Sequence, residues 1–249
     1  MAPLVGKIAI VTGATSGIGR AIAERLAQNG ASVVVNYAHS ADKAKEVVSA
    51  IEAEGGKALA VQADLSQVAD IRRLFQKTVE HFGQLNILVN NAVSAGAFNP
   101  LSEVTEAEFD VQFGLNARGT FFALQEAARL IADGGRIVNI STAITLNNAP
   151  VGAGVYTGSK AAVEQFTIAL AKELGGRSIT VNSVSPGTIE TEGFRKTAPP
   201  DVQAQAAQMS PLGHIGQPED IADVVAFLVS HQARWINAQN IRATGGAYS

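Results

Sequence analysis

The sequence predicts a single α/β domain over residues 1–249, built on a doubly wound parallel sheet of about seven strands. Three observations carry this expectation. Short β-branched apolar runs alternate with helical stretches along the whole chain, as in repeated βαβ units. The first of these runs passes through a glycine-rich turn straight into a helical pattern. No charge run, low-complexity stretch, linker or internal repeat marks a boundary, and 249 residues suit one large core.

The elements follow in order. Lys7-Ile8-Ala9-Ile10-Val11-Thr12 has the length and composition of a strand buried on both faces. Gly13-Ala14-Thr15-Ser16-Gly17-Ile18-Gly19 comes next, then a helix with Ile22, Leu26 and alanines facing inward. Glycines at 13, 17 and 19 suit a tight turn, a close backbone approach to a pyrophosphate, and a helix N-terminus that offers it free N–H groups. A strand at 32–36, a helix at 42–54 and a strand at 58–62 follow. Helix is expected over 68–82, where Val68, Ile71, Phe75, Val79 and Phe82 make one stripe. Then come a strand at 86–90, a long helix at 106–131, a strand at 136–141, a helix at 154–174 and a strand at 178–184. Pro218-Glu219-Asp220 opens a helix to 229 with proline and acids in its first turn, and 239–242 gives the last strand. Residues 189–209, with Pro199-Pro200 and no strong period, are expected to form a mobile cover over the substrate.

Composition narrows the function. A formal net charge of −3 gives no electrostatic case for nucleic acid or an anionic membrane. The absence of cysteine excludes disulfides and thiolate chemistry, and no metal is expected. Neither a secretory signal nor a stretch of membrane-spanning length is visible, so a cytoplasmic protein is expected. Charged residues are 16% of the chain, against about 25% in a typical domain. That shortage points to extra surface buried between subunits.

Tyr156 and Lys160 stand four apart in the helix expected at 154–174, on one face and roughly 6 Å apart along the axis. An ammonium so placed favours the phenolate and is expected to lower the phenol from its usual pKa of ~10.

The glycine turn and Tyr156-x-x-x-Lys160 together resemble the short-chain dehydrogenase/reductase family, whose fold is of the Rossmann type. Further segments share the likeness: Asp64-Leu65, Asn90-Asn91-Ala92, Asn116-Ala117-Arg118-Gly119, Pro186-Gly187 and Arg242-Ala243-Thr244-Gly245-Gly246. The resemblance implies that Tyr156 is the general acid/base and that Lys160 holds the nicotinamide ribose. It implies that Asn116 positions a water linking Lys160 to solvent, although a helix-kink role is the alternative for that residue. Asp64 would contact the adenine amino group, the Asn90 backbone the adenine ribose, and Thr191 the carboxamide. Gly13, Ser16, Gly17, Ile18, Gly19, Leu65, Ala92, Pro186, Gly187 and Ile189 would complete the cofactor site.

Two departures border the substrate pocket. The family places a serine thirteen residues before the tyrosine, where this chain has Ala143. Aligned from Ile137-Val138-Asn139-Ile140, the hydroxyl falls on Thr142, with Ser141 as fallback and one extra residue inferred in 143–153. Asn91-Ala92-Val93 lacks the family's usual glycine, and the segment up to Pro100 reads one residue long. Cofactor choice rests on Asn36-Tyr37-Ala38-His39-Ser40, which carries no carboxylate to repel a 2′-phosphate. Ser16, His39 and Ser40 are the candidate phosphate contacts, and NADP(H) is expected over NAD(H). The expected reaction is reversible reduction of a ketone or β-keto group on a small molecule by a homotetramer. A 3-oxoacyl-carrier-protein reductase and an NAD-linked sugar or secondary-alcohol dehydrogenase are alternatives within the class. A non-catalytic dinucleotide sensor is the alternative outside it.

Overall fold

The computed structural model describes residues 3–146 and 149–248, the Thr197 side chain excepted. Strands β1 (Ile8–Val11), β2 (Ser32–Tyr37), β3 (Lys57–Gln62), β4 (Leu85–Asn90), β5 (Ile131–Ile140), β6 (Thr180–Pro186) and β7 (Asn240–Ala243) form one sheet. Its order is β3-β2-β1-β4-β5-β6-β7, and every pairing is parallel. All four β1 residues are buried, which is why that strand reads as continuous apolar sequence rather than alternation.

Helices cover both faces. On one side α1 (Gly17–Gln28), α2 (Ala41–Ala53) and α9 (Pro218–Leu228) bury Ile22, Leu26, Val47, Ile221 and Val225 against Val11 and Val35. On the other, α3 (Val68–Phe82), α5 (Thr120–Leu130) and α6 (Gly154–Leu174) bury Ile71, Phe75, Leu124 and Leu170 against Ile10 and Leu88. β1 pairs with β2 on one side and β4 on the other. The chain thus reverses its direction of winding there and opens a crevice beyond the strand ends.

Three elements differ from expectation. The single helix expected over 106–131 is α4 (Glu106–Phe113), a π-helical turn (Gly114–Gly119) and α5. The turn exists because Gly119 packs on the Leu65 carbonyl, where a Cβ has no room, and Asn116 is pulled towards Ser94 and Ser159. Strand β5 begins at Ile131, before 136, with an irregular register between Leu85 and Ile87 on its neighbour. Residues 189–209 are not aperiodic: they form α7 (Glu192–Thr197) and α8 (Pro200–Met209). The Thr191 hydroxyl caps α7 by accepting from the Phe194 N–H at 3.1 Å. Pro200 sits in the first turn of α8, where its missing N–H has no helical partner to lose.

Candidate active site

The crevice beside β1 is built from backbone. Gly13 and Gly17 adopt φ of +60° and +51°, which glycine reaches without strain. A Cβ on Gly13 would lie 2.9 Å from Ala92 Cα, and one on Gly19 would collide with the Gly13 carbonyl and Asn91 Nδ2. Three polar side chains pin this approach. The Thr12 hydroxyl accepts from the Asn91 and Ala92 N–H groups at 2.9 and 3.0 Å. Asn91 Nδ2 donates to the Thr12 and Gly13 carbonyls at 2.9 and 3.1 Å. Asn36 Oδ1 accepts from Gly13 N at 3.3 Å while its Nδ2 donates to the Ala63 carbonyl at 3.1 Å. The result is a cleft of about 640 Å³ that touches Gly13, Ser16, Gly17, Ile18, Gly19, His39, Asp64, Leu65, Ala92 and Thr191.

At its outer end the cleft is charged. Lys43 and Lys196 both bind the Glu192 carboxylate, at 3.0 and 2.6 Å. Lys196 first and Lys43 second hold that carboxyl down to about 2. Both lysines line the cleft.

A second cavity of about 600 Å³ continues from the first, sharing Ile18, Asn91, Val93 and Thr191 with it. Pro186, Gly187 and Ile189, at the end of β6 and just beyond it, line it along with Ser141, Thr142, Tyr156 and Lys160. Thr142 and Tyr156 line this cavity together, and the Thr142 hydroxyl acts on the phenol against the effect of burial. Ser141 is turned away, donating its hydroxyl to Glu164 Oε1 at 2.5 Å. Fully buried Lys160 donates to the Ile140 carbonyl at 2.8 Å. Burial pushes its ammonium down to about 8, and the Glu164 carboxylate one turn further along α6 pulls the other way.

Several expectations need correction. Burial raises the Tyr156 phenol above its ordinary value, outweighing the Thr142 hydroxyl. The lowering expected from Lys160 is absent because that ammonium is turned to the Ile140 carbonyl. Ser40 lies at the N-cap of α2 and does not line the cleft, while Lys43 one turn later does. The Asn90 side chain donates into the sheet, to Asn139 Oδ1 at 2.8 Å, which leaves the role expected of its backbone untouched, and its neighbours Asn91 and Ala92 line the cleft. The Asn116 side chain exchanges two 2.8 Å hydrogen bonds with the Ser94 backbone and donates to Ser159 Oγ at 3.0 Å, within the π-helical turn that interrupts the expected helix. Of the segment 143–153, residues 147 and 148 lie outside the described residues.

Thr12, Asn36, Asn91, Lys43 and Glu164 were not singled out from sequence. For the first two a signal existed: each is a polar residue closing a run of buried apolar strand. Glu164 had one as well, since Tyr156, Lys160 and Glu164 continue one i, i+4 series on α6. Its Oε1 accepts from Ser141, Thr145 and Ser185, at 2.5, 2.8 and 3.5 Å.

A cleft whose glycines leave no room for side chains, opening into a pocket that holds a hydroxyl, a phenol and an ammonium, has close counterparts. Residues 13–248 match the family model described as enoyl-(acyl carrier protein) reductase. An uncharacterised oxidoreductase of Methylorubrum extorquens is 47% identical over 248 residues, covering 99% of each chain. A short chain dehydrogenase from Burkholderia cenocepacia, solved with NADP, superimposes with a TM-score of 0.94 at 39% identity, over 99% of this chain and 100% of that one. The angucycline C-6 ketoreductase LanV, also with NADP bound, gives 0.91 at 43% identity, over 99% of this chain and 97% of that one. With its Gly13/Gly17/Gly19 turn and its Tyr156–Lys160 pair on the seven-stranded parallel sheet, the chain belongs to the short-chain dehydrogenase/reductases, a family of nicotinamide-dependent oxidoreductases.

Proposed function

We propose that this oxidoreductase uses NADP(H) to reduce a ketone or β-keto group to a secondary alcohol, reversibly. The observation that carries the reading is that Thr142, Tyr156 and Lys160 line one pocket continuous with the nucleotide cleft. Two hydroxyls lining one cavity can converge on one carbonyl oxygen, polarising its carbon. The cofactor, when bound, supplies the hydride. Tyr156 gives its proton to the oxygen as negative charge develops there, and Thr142 donates to the same oxygen. Burial keeps the phenol protonated, as a general acid requires. Lys160, which lines the same cavity, is placed to hold the nicotinamide ribose. Asn116 serves by fixing Ser94 to α6, and its place in the π-helical turn is compatible with a water relay to Lys160.

The cleft supports the cofactor by shape and charge. Gly13, Gly17 and Gly19 let a pyrophosphate reach the N–H groups opening α1. Asp64, Leu65 and Ala92 border the adenosine end, while Pro186, Gly187, Ile189 and Thr191 border the nicotinamide end. NADP(H) is favoured because the end of β2 carries no carboxylate, whereas Ser16 and His39 line the cleft near it. The NADP in two relatives supports the same choice, and the second is a ketoreductase by name. Following NADPH and NADH absorbance with a ketone panel tests both parts. Turnover with a higher kcat/KM for NADPH is expected, and equal use of the two cofactors would count against the preference.

The same reading includes a homotetramer. The π-helical turn leaves Val111 and Phe121 exposed around a groove also lined by Phe113 and Phe166. A two-fold pairing of the α4–α5 and α6 faces would cover it. Light scattering during size exclusion is expected to give four times the 25.8 kDa chain mass; the mass of one chain would defeat the assembly.

A further inference from the structure

The two segments that depart from the family pattern touch each other. Gly152, at φ +87°, lies so close to the 93–99 segment that a Cβ would sit 2.7 Å from the Phe98 carbonyl carbon and oxygen. Two residues on, a Cβ at Gly154 would meet Leu101 Cδ2 at 2.6 Å. The contact holds Phe98 over the pocket, its ring centroid 6.1 Å from that of Tyr156 and tilted by 32°. α8 contributes Val202 and Met209 to the same cavity, which Val93, Ile144 and Pro150 also line.

Two properties of this wall bear on the ligand. It carries no carboxylate: among the described residues lining the cavity, Lys160 is the only titratable side chain apart from the tyrosines. It is also apolar where it meets water. Val93, Phe98, Val202 and Met209 all line the cavity and are each about half exposed. Exposed apolar surface gathered at a pocket mouth marks a binding surface rather than chance. The cations nearest the mouth are not free for an anionic group, because Arg195 pairs with Glu190 and Lys196 with Glu192. Arg118, Arg129 and Arg136 do not line this cavity and are engaged by the Ser66 carbonyl, Glu126, and the Gly134 and Gly135 carbonyls.

Resting on the ketone-reductase reading, we propose that the substrate is an uncharged fused-ring ketone, laid flat against Phe98 in the cavity that Val202 and Met209 also line, and not a phosphate-bearing acyl thioester. Flat rings gain from a rigid aromatic wall, and an apolar rim accommodates the part of the molecule that projects beyond the reacting carbonyl.

The test measures kcat/KM with NADPH for α-tetralone, cyclohexanone and acetoacetyl-coenzyme A. α-Tetralone is expected to exceed each of the others by about tenfold or more, the scale on which apolar pockets discriminate. Phe98→Ala is expected to lower the α-tetralone to cyclohexanone ratio about tenfold. Phe98→Leu, closer in volume should the alanine variant not fold, is expected to lower the same ratio. A preference for acetoacetyl-coenzyme A or cyclohexanone, or a ratio unmoved in a folded variant, overturns the inference while the reductase reading stands. Turnover of none of the three by protein that still binds NADPH, seen by cofactor fluorescence, defeats the reductase reading and this inference with it.

Discussion

The nucleotide cleft and the substrate pocket are neighbours built in opposite ways. In the cleft, backbone meets backbone: Gly13 lies against Ala92, Gly19 against the Gly13 carbonyl, with Thr12, Asn36 and Asn91 as the pins. Almost no residue can change there without moving the chain. In the pocket, apolar side chains carried on 93–99, 143–153 and α8 make the walls, and the reacting groups stand on the rigid ends of β5 and α6. The lesson is one of tolerance. A surface made of backbone accepts one ligand shape, whereas walls made of side chains on connections can be remodelled around a fixed reaction centre.

The sharpest test of that fixed centre is Tyr156→Phe. Losing one proton donor is expected to cut turnover about 10²–10⁴-fold while cofactor affinity and the circular dichroism spectrum persist. Retention of most activity would remove Tyr156 from the general-acid role.

Thr142→Ala follows, with an expected loss of about 10²-fold in kcat, the scale for removing one donor at a developing oxyanion. Ser141→Ala should be mild, because that hydroxyl serves Glu164. The reverse ranking would hand the role to Ser141.

On the cleft side, Gly19→Ala forces a methyl into the Gly13 carbonyl. Overpacking of this kind costs about 1–3 kcal/mol, so a lower thermal midpoint and weaker NADPH binding are expected together. An alanine variant with unaltered affinity would show that the cleft is softer than its contacts imply.

The smallest effect concerns pH. The Lys160 ammonium is pushed down to about 8, and ketone reduction is expected to fall as pH rises through that value. Tyr156, raised by burial, stays protonated over this range. Glu164 raises the lysine, so Glu164→Gln should move the falling limb to lower pH. An unmoved limb would reduce Glu164 to a purely structural partner of Ser141 and Thr145. For stability the sign is opposite. Below about 8 both folded and unfolded lysine are protonated, and the folded state bears the cost of a buried charge. Between about 8 and the unfolded value near ~10.5 the unfolded chain binds more protons, so this group's contribution to stability improves as pH rises.

Sequence legibility divides along the same line. The strand-to-turn-to-helix passage at 7–28 could be read because burial on both faces and the need for glycine each leave a local mark. Helix α6 and its Tyr156–Lys160 spacing were legible for the same reason. Thr142 could be separated from Ala143 by counting from β5, but that Glu164 engages Ser141 is announced by no spacing. The π-helical turn was hidden because its cause is a carbonyl from residue 65, distant in sequence. The helical nature of 192–209 was missed because Pro199-Pro200 reads as a break, although a proline in a first turn starts a helix as readily as it ends one.

The contact between Gly152 and Phe98 also bears on inheritance. Two segments whose backbones touch at van der Waals limits cannot change length independently: shortening one would pull a wall away from the other or drive the two together. The pair is therefore a single exchangeable cassette. Grafts between relatives should carry 93–101 and 143–154 together, and a graft of either alone should give a poorly folded or promiscuous enzyme, whatever the quality of the transplanted loop.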